Sequence, residues 1–170
     1  MGKAQAATPF ESLGEGPSFH GELCDMLEHV LLFRELAAGE VEQVARFAHA
    51  YRVPAGGRRF AEGGRDSALF LVVSGRVRIL KEREYGEQKP LATVSRGASL
   101  GEMSVLDGQP YSASAEALEA VTFVLVTGHN FHRLVEAHPA LGCKLLASLG
   151  RLVSLRLRRT SAMLVDHLGE

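Results

Sequence analysis

The chain is short of the features that mark a secreted or membrane-bound protein. Its 170 residues hold two cysteines, Cys24 and Cys143, and these form no CxxC pair. Two such cysteines build neither a disulfide framework nor a zinc site, and they suit a reducing cytoplasm. No apolar run reaches the ~20 residues of a membrane span. The start, Met1-Gly2-Lys3, lacks the apolar core of a secretion signal, and Ala6 spoils a myristoylation match. Charge of one sign is missing as well: 19 Lys and Arg face 20 Asp and Glu, for a net charge of −1. Bulk electrostatics therefore give no pull toward nucleic acid or an anionic membrane, and neither DNA nor membrane is an expected partner. No Ser-His-Asp, Cys-His or paired-carboxylate arrangement stands out. The sequence supports no active site, so the expectation is a protein that is not an enzyme and has no catalytic residues. There is no internal repeat.

Glycine, by contrast, is abundant. Eighteen of them make up roughly a tenth of the chain, against about 7% in average proteins, which predicts many tight turns. Residues 1–20 are rich in Gly, Pro, Ser and Ala and read as a flexible arm. From Glu22 to about His49 the pattern is helical. Leu23, Met26, Leu27, Val30 and Leu31 recur at three- and four-residue spacing, and Val41, Val44, Ala45 and Ala48 do so after a break at Leu36–Gly39.

The period then shifts to that of strands, and a β-roll is expected over about 51–127. Ala68–Val73 is a short continuous apolar run, as a strand buried on both faces requires, and Arg76–Ile79 alternates as a strand with one wet face does. Tyr85-Gly86-Glu87 reads as a hairpin tip, and Leu91–Val94 and Val121–Val126 supply further strands. Helices return over about 128–168. Thr127 or Asn130 caps a short one that His138-Pro139 closes. The long segment from Ala140 to about Leu168 carries one wide apolar stripe (Leu146, Leu149, Val153, Leu157, Leu164, Leu168) and a second set (Leu141, Leu145, Leu152, Leu155). That is more than a one-sided surface helix needs. It predicts packing both on its own roll and on a second chain, a homodimer.

The most informative stretch runs from Gly101 to Ala113. A glycine ahead of a short helical turn lets backbone N–H groups approach and face an anion. Glu102 can accept hydrogen bonds from a ribose hydroxyl, with Ser112 and the Ala113 N–H completing a cradle. A plain turn between strands, with Glu102 as a favourable charge at a helix start, accounts for these residues equally well. His129 and His132 stand without a Cys, Asp or third His at ligand spacing, so exposed imidazoles at a helix entry are expected and no metal or cofactor. Arg151, Arg156, Arg158 and Arg159 form a basic cluster that reads as a solvated helix face.

Several segments in one order resemble the cyclic-nucleotide-binding domain family, of the catabolite activator protein and protein kinase A regulatory subunit type. They are Leu32-Phe33-Arg34-Glu35-Leu36, Gly63-Gly64-Arg65-Asp66-Ser67, Leu71–Val77, Gly101–Gly108 and His138-Pro139. The resemblance implies an α+β chain of one domain over residues 21–170. Its parts would be N-terminal helices, an eight-stranded, cupin-like β-roll or jelly roll with a short phosphate-cassette helix, and a long C-terminal helix. It implies a ligand, cyclic AMP or cyclic GMP, and a signalling role relayed by the last helix to an unidentified downstream partner. Gly101 and Glu102 match the cassette glycine and the ribose-binding glutamate, with Met103 and Ser104 following. Ser112 and Ala113 match the pair that contacts the cyclic phosphate, Ile79, Leu91 and Met103 fall at the base pocket, and Arg156 falls near where the last helix meets the base.

One departure bears on the ligand. Where the family has an arginine for the phosphate, this sequence has Tyr111, which leaves the site short of one positive charge. The alternatives are weakened cyclic-nucleotide binding, another small anionic ligand, or an interaction and dimerisation module whose pocket only packs. A transcription regulator of the catabolite-activator type is expected less, because a helix-turn-helix domain needs several dozen residues after the long helix and the sequence given stops at Glu170.

Overall fold

A computed structural model describes residues 10–83 and 86–168. The chain opens with strand β1 (Glu11–Gly14), helix α1 (His20–Leu27), a 3-10 turn at Leu31–Phe33 and helix α2 (Ala38–Ala45). Strands β2 (His49–Val53), β3 (Arg58–Phe60), β4 (Ala68–Ser74), β5 (Arg76–Glu82), β6 (Gln88–Ser95) and β7 (Ser99–Leu100) follow. The six-residue helix α3 (Glu102–Asp107) precedes β8 (Ser114–Ala117) and β9 (Val121–Thr127). Helices α4 (Gly128–Ala137) and α5 (Pro139–Leu168) close the sequence.

The strands form two antiparallel sheets, one in the order β1-β2-β9-β4-β7 and the other β3-β8-β5-β6. The fold is the α+β β-roll that the sequence pattern predicts. Alternation along β4 shows why its apolar run is continuous, since successive side chains of a strand face opposite ways. Ala68, Phe70 and Val72 face the second sheet, in a core with Val53, Val77, Ala115 and Phe123. Leu69 and Leu71 face the other way, into a core built with α1, α2, α4 and α5. Strand β5 alternates at its start, with Arg76 exposed and Val77 buried, and a register shift against β6 falls between Ile79 and the buried Leu80.

Helix α4 starts where the sequence places it. Thr127 Oγ1 accepts a hydrogen bond from the Asn130 N–H at 3.1 Å, satisfying one of the donors a helix start leaves open. Helix α5 runs unbroken through Gly150 for 30 residues, a length of about 45 Å at 1.5 Å per residue. Leu141, Leu145 and Leu149, one turn apart, are buried against the roll and the other helices. Lys144 donates to Glu40 Oε1 at 2.6 Å and Arg151 to Glu35 Oε2 at 2.6 Å. Such exposed ion pairs contribute little beside the apolar seam.

The described residues hold nine strands, of which eight, β2 to β9, fall over the segment expected for the roll. Three readings are corrected. Within the stretch read as an arm, β1 pairs with β2 and Phe19 packs on the helical core, while residues 1–9 lie outside the described residues. The buried face of α5 draws on both predicted stripes, because burial follows the Leu141, Leu145, Leu149 line and leaves Leu146, Leu155 and Leu157 exposed. The basic cluster is not all solvated face, since Arg151 and Arg156 pair with groups of the domain. Tyr85, at the predicted hairpin tip, lies outside the described residues.

Candidate ligand-binding site

Strand β7 ends at Leu100 and the backbone turns sharply at Gly101, whose φ is +78°. A Cβ there would sit 2.2 Å from the Ala68 carbonyl oxygen and 3.3 Å from Phe70. Both the left-handed backbone and the close approach to β4 thus require glycine. Two hydroxyls hold the turn that follows. Ser104 Oγ donates to the Gly101 carbonyl and Ser67 Oγ donates to the Ser104 carbonyl, each at 2.9 Å. Ser104, expected at the ligand, therefore braces α3.

The structure brings nine of the ten expected residues to one cavity. Gly101, Glu102, Met103 and Ser104 line it, with Tyr111, Ser112 and Ala113 from the segment after α3, Ile79 from β5 and Arg156 from α5. Leu91 does not join them. It lies on β6, 56% exposed, because the face of β6 that carries it turns to solvent. The cavity measures about 80 Å³, room for a handful of waters at about 10–15 Å³ each.

Glu102 dominates the electrostatics. Its residue is 4% exposed, and a buried carboxylate needs paired charge and hydrogen bonds. Arg156 Nη1 pairs with Glu102 Oε1, while Arg156 Nη2 donates to the Ser99 carbonyl at 2.6 Å. The other oxygen, Glu102 Oε2, is buried without a hydrogen-bond partner. Glu102 lines the cavity, so a small rearrangement that opens this acceptor lets a ligand hydroxyl donate to it.

Tyr111 is 5% exposed and belongs to the core between the sheets as well as to the cavity. Its ring stacks on Phe60 with centroids 4.4 Å apart. Its backbone is fastened to the β3–β4 turn, where the Tyr111 N–H donates to the Gly64 carbonyl and the Gly63 N–H to the Tyr111 carbonyl, both at 2.9 Å. Ser112, at the exposed rim, donates weakly to Met103 Sδ at 3.7 Å.

Sequence reasoning missed Phe60 and Leu100, which also line the cavity. Leu100 directly precedes the diagnostic glycine and was within reach of the pattern. Phe60 sits in a three-residue strand too short to show alternation. It also missed a brace outside the wall. Lys81 Nζ donates to the Ser112 carbonyl at 2.8 Å and pairs with Glu62. The Glu62 carboxyl is held below its ordinary range, chiefly by the Glu82 N–H and then by Lys81.

Comparison with known proteins gives the following. The family model for the cyclic nucleotide-binding domain matches residues 51–138. The cyclic AMP receptor protein of Thermus thermophilus is 33% identical over 120 residues, 71% of this chain and 56% of that protein. The cAMP-dependent protein kinase regulatory subunit of Aspergillus niger is 32% identical over 64% of this chain and 26% of its own length. A solved cyclic nucleotide-binding domain from Methylobacillus flagellatus superposes with a TM-score of 0.82 at 27% identity, covering 96% of this chain and 93% of that one. The chain thus spans little more than half the length of the receptor protein it matches.

Proposed function

The chain belongs to the cyclic nucleotide-binding domain family, and on that premise we propose that it is a regulatory sensor of cyclic AMP or cyclic GMP, not an enzyme, which reports ligand capture through α5. The observation that carries this reading is the buried Glu102, one oxygen of which has no hydrogen-bond partner, lining one cavity with Gly101, Ser112 and Ala113. A ribose hydroxyl donates to that oxygen, the cyclic phosphate lies toward Ser112 and the Ala113 N–H, and the base packs on Ile79 and Met103. Arg156 comes from α5, so whatever enters the cavity acts on the position of that helix. A shift between two helix positions is the proposed signal.

Residues 21–170 act as one ligand-binding unit under this reading. From Leu157 to Val165 every residue of α5 is exposed, Leu157, Leu164 and Val165 among them. We take that segment as the seat of a second copy of the chain. The whole chain has a net charge of −1, and no specific DNA contact is proposed for it. No helix among the described residues is long and apolar enough to cross a membrane, and the proposed place of action is the cytoplasm.

Titration calorimetry with cyclic AMP, cyclic GMP and a cyclic dinucleotide tests the reading. Binding of one cyclic mononucleotide is expected, and Glu102→Ala weakens it by about tenfold or more, the worth of one hydrogen bond to a charged group. One observation favours a second reading, an interaction module whose pocket has lost its ligand: the Tyr111 ring is packed into the core on Phe60. Failure of all three ligands at millimolar concentration decides for that module.

A further inference from the structure

We propose that Arg156 is the cation of the ligand site, so that the charge neutralising the cyclic phosphate comes from the relay helix and not from the cassette. This rests on the cyclic-nucleotide reading above. A cyclic nucleotide carries one negative charge, and one wall of the cavity already holds the buried carboxylate of Glu102. Bringing a second anion beside it requires a nearby positive charge. Among the described residues lining the cavity Arg156 alone is cationic, and Ser112 and Ala113 line the same cavity.

Lys81 is the nearest rival. It reaches the Ser112 carbonyl at 2.8 Å, but it does not line the cavity and its charge is taken up by Glu62. Arg156 differs in what it can still do. A guanidinium has five N–H donors in a planar fork, and the bonds to Glu102 and to the Ser99 carbonyl use Nη1 and Nη2. Its side chain is 36% exposed while that of Glu102 is 5% exposed, so when a ligand enters it is the arginine that moves.

Its place on α5 gives that movement an output. Leu149, two turns earlier, is fully buried, whereas every residue from Leu157 to Val165 is exposed. Arg156 thus ties α5 to the cavity just ahead of the exposed stretch from Leu157 to Val165. Sharing of the guanidinium between Glu102 and the phosphate occurs at that point, so ligand capture and helix displacement are one event.

The test compares the affinity for cyclic AMP with that for its neutral methyl phosphotriester, by calorimetry at fixed salt. The ratio of the two isolates the charge, because general weakening of the pocket cancels. The natural chain favours the anionic diester, and Arg156→Gln cuts that preference by about tenfold or more, the loss of one charge-assisted contact. Arg156→Lys keeps a charge but not the fork, and an intermediate preference is expected. It answers the question if the glutamine variant fails to fold. Lys81→Met leaves the preference unchanged. An unchanged preference in both Arg156 variants overturns the assignment, as does a preference abolished by Lys81→Met. A natural chain that binds neither ligand overturns the cyclic-nucleotide reading itself, and this assignment falls with it.

Discussion

At the scale of single residues, the site turns on three side chains whose roles differ from what their types suggest. Ser104 is a polar residue in the cavity wall, yet its hydroxyl serves the Gly101 carbonyl. Tyr111 occupies the position where an arginine was expected for the phosphate, and its ring is part of the aromatic core, 4.4 Å from Phe60. Arg156 supplies a guanidinium to the cavity from α5. Tyr111→Arg therefore does two things. It removes a stacked pair worth about 0.5–1.5 kcal/mol beyond its buried area, so the melting temperature falls. It also adds a cation to a site that already has one. The expected gain in cyclic AMP affinity is small in the natural chain and about tenfold when Arg156 is already glutamine. Calorimetry on the four combinations reads this directly, and an equal gain in both backgrounds shows that the two arginines do not share a ligand group.

At the scale of elements, the helices are held by apolar seams and only trimmed by charge. Glu40 on α2 accepts from Lys144 on α5 at 2.6 Å and from the Ala37 N–H at 2.9 Å. These bonds, that of Lys144 foremost, hold its carboxyl below the ordinary carboxylate range. A depressed carboxyl contributes stability above its ordinary value, and the contribution is lost as pH falls through the lower folded value. Glu40→Gln should therefore lower the urea midpoint at neutral pH, and the gap to the natural chain should close below the ordinary value of about 4.3. A gap that stays constant down to about pH 3 removes Glu40 ionisation as its cause. The same scale shows what could be read in advance. The run Ala68–Val73 announced a strand buried on both faces, and the Gly101-Glu102 pair announced the turn, because each rests on local chemistry. Leu91 was misplaced because an apolar residue in a strand does not reveal which face is covered. The short strand holding Phe60, and the Lys81–Glu62 brace that joins residues 19 apart, depend on pairing between distant segments. Nothing in the sequence nearby signals them.

At the scale of the whole molecule, α5 links three things: a buried seam at Leu141, Leu145 and Leu149, a cavity contact at Arg156, and an exposed tail from Leu157 to Val165. The tail shows Leu157 at 66%, Leu164 at 58% and Val165 at 68% exposure, apolar surface that a second copy would cover. Light scattering at tens of micromolar should give a dimer mass, and Leu157→Lys with Leu164→Lys should give a monomer that still binds ligand. A monomer mass for the natural chain contradicts the proposed assembly. The central claim is that capture of a cyclic nucleotide is felt by α5. Hydrogen exchange with and without saturating cyclic AMP tests it most directly. The account predicts slower exchange at the cassette, residues 101–113, together with changed exchange in α5 around Arg156. Protection confined to the cassette, with α5 exchanging as it does without ligand, would contradict it.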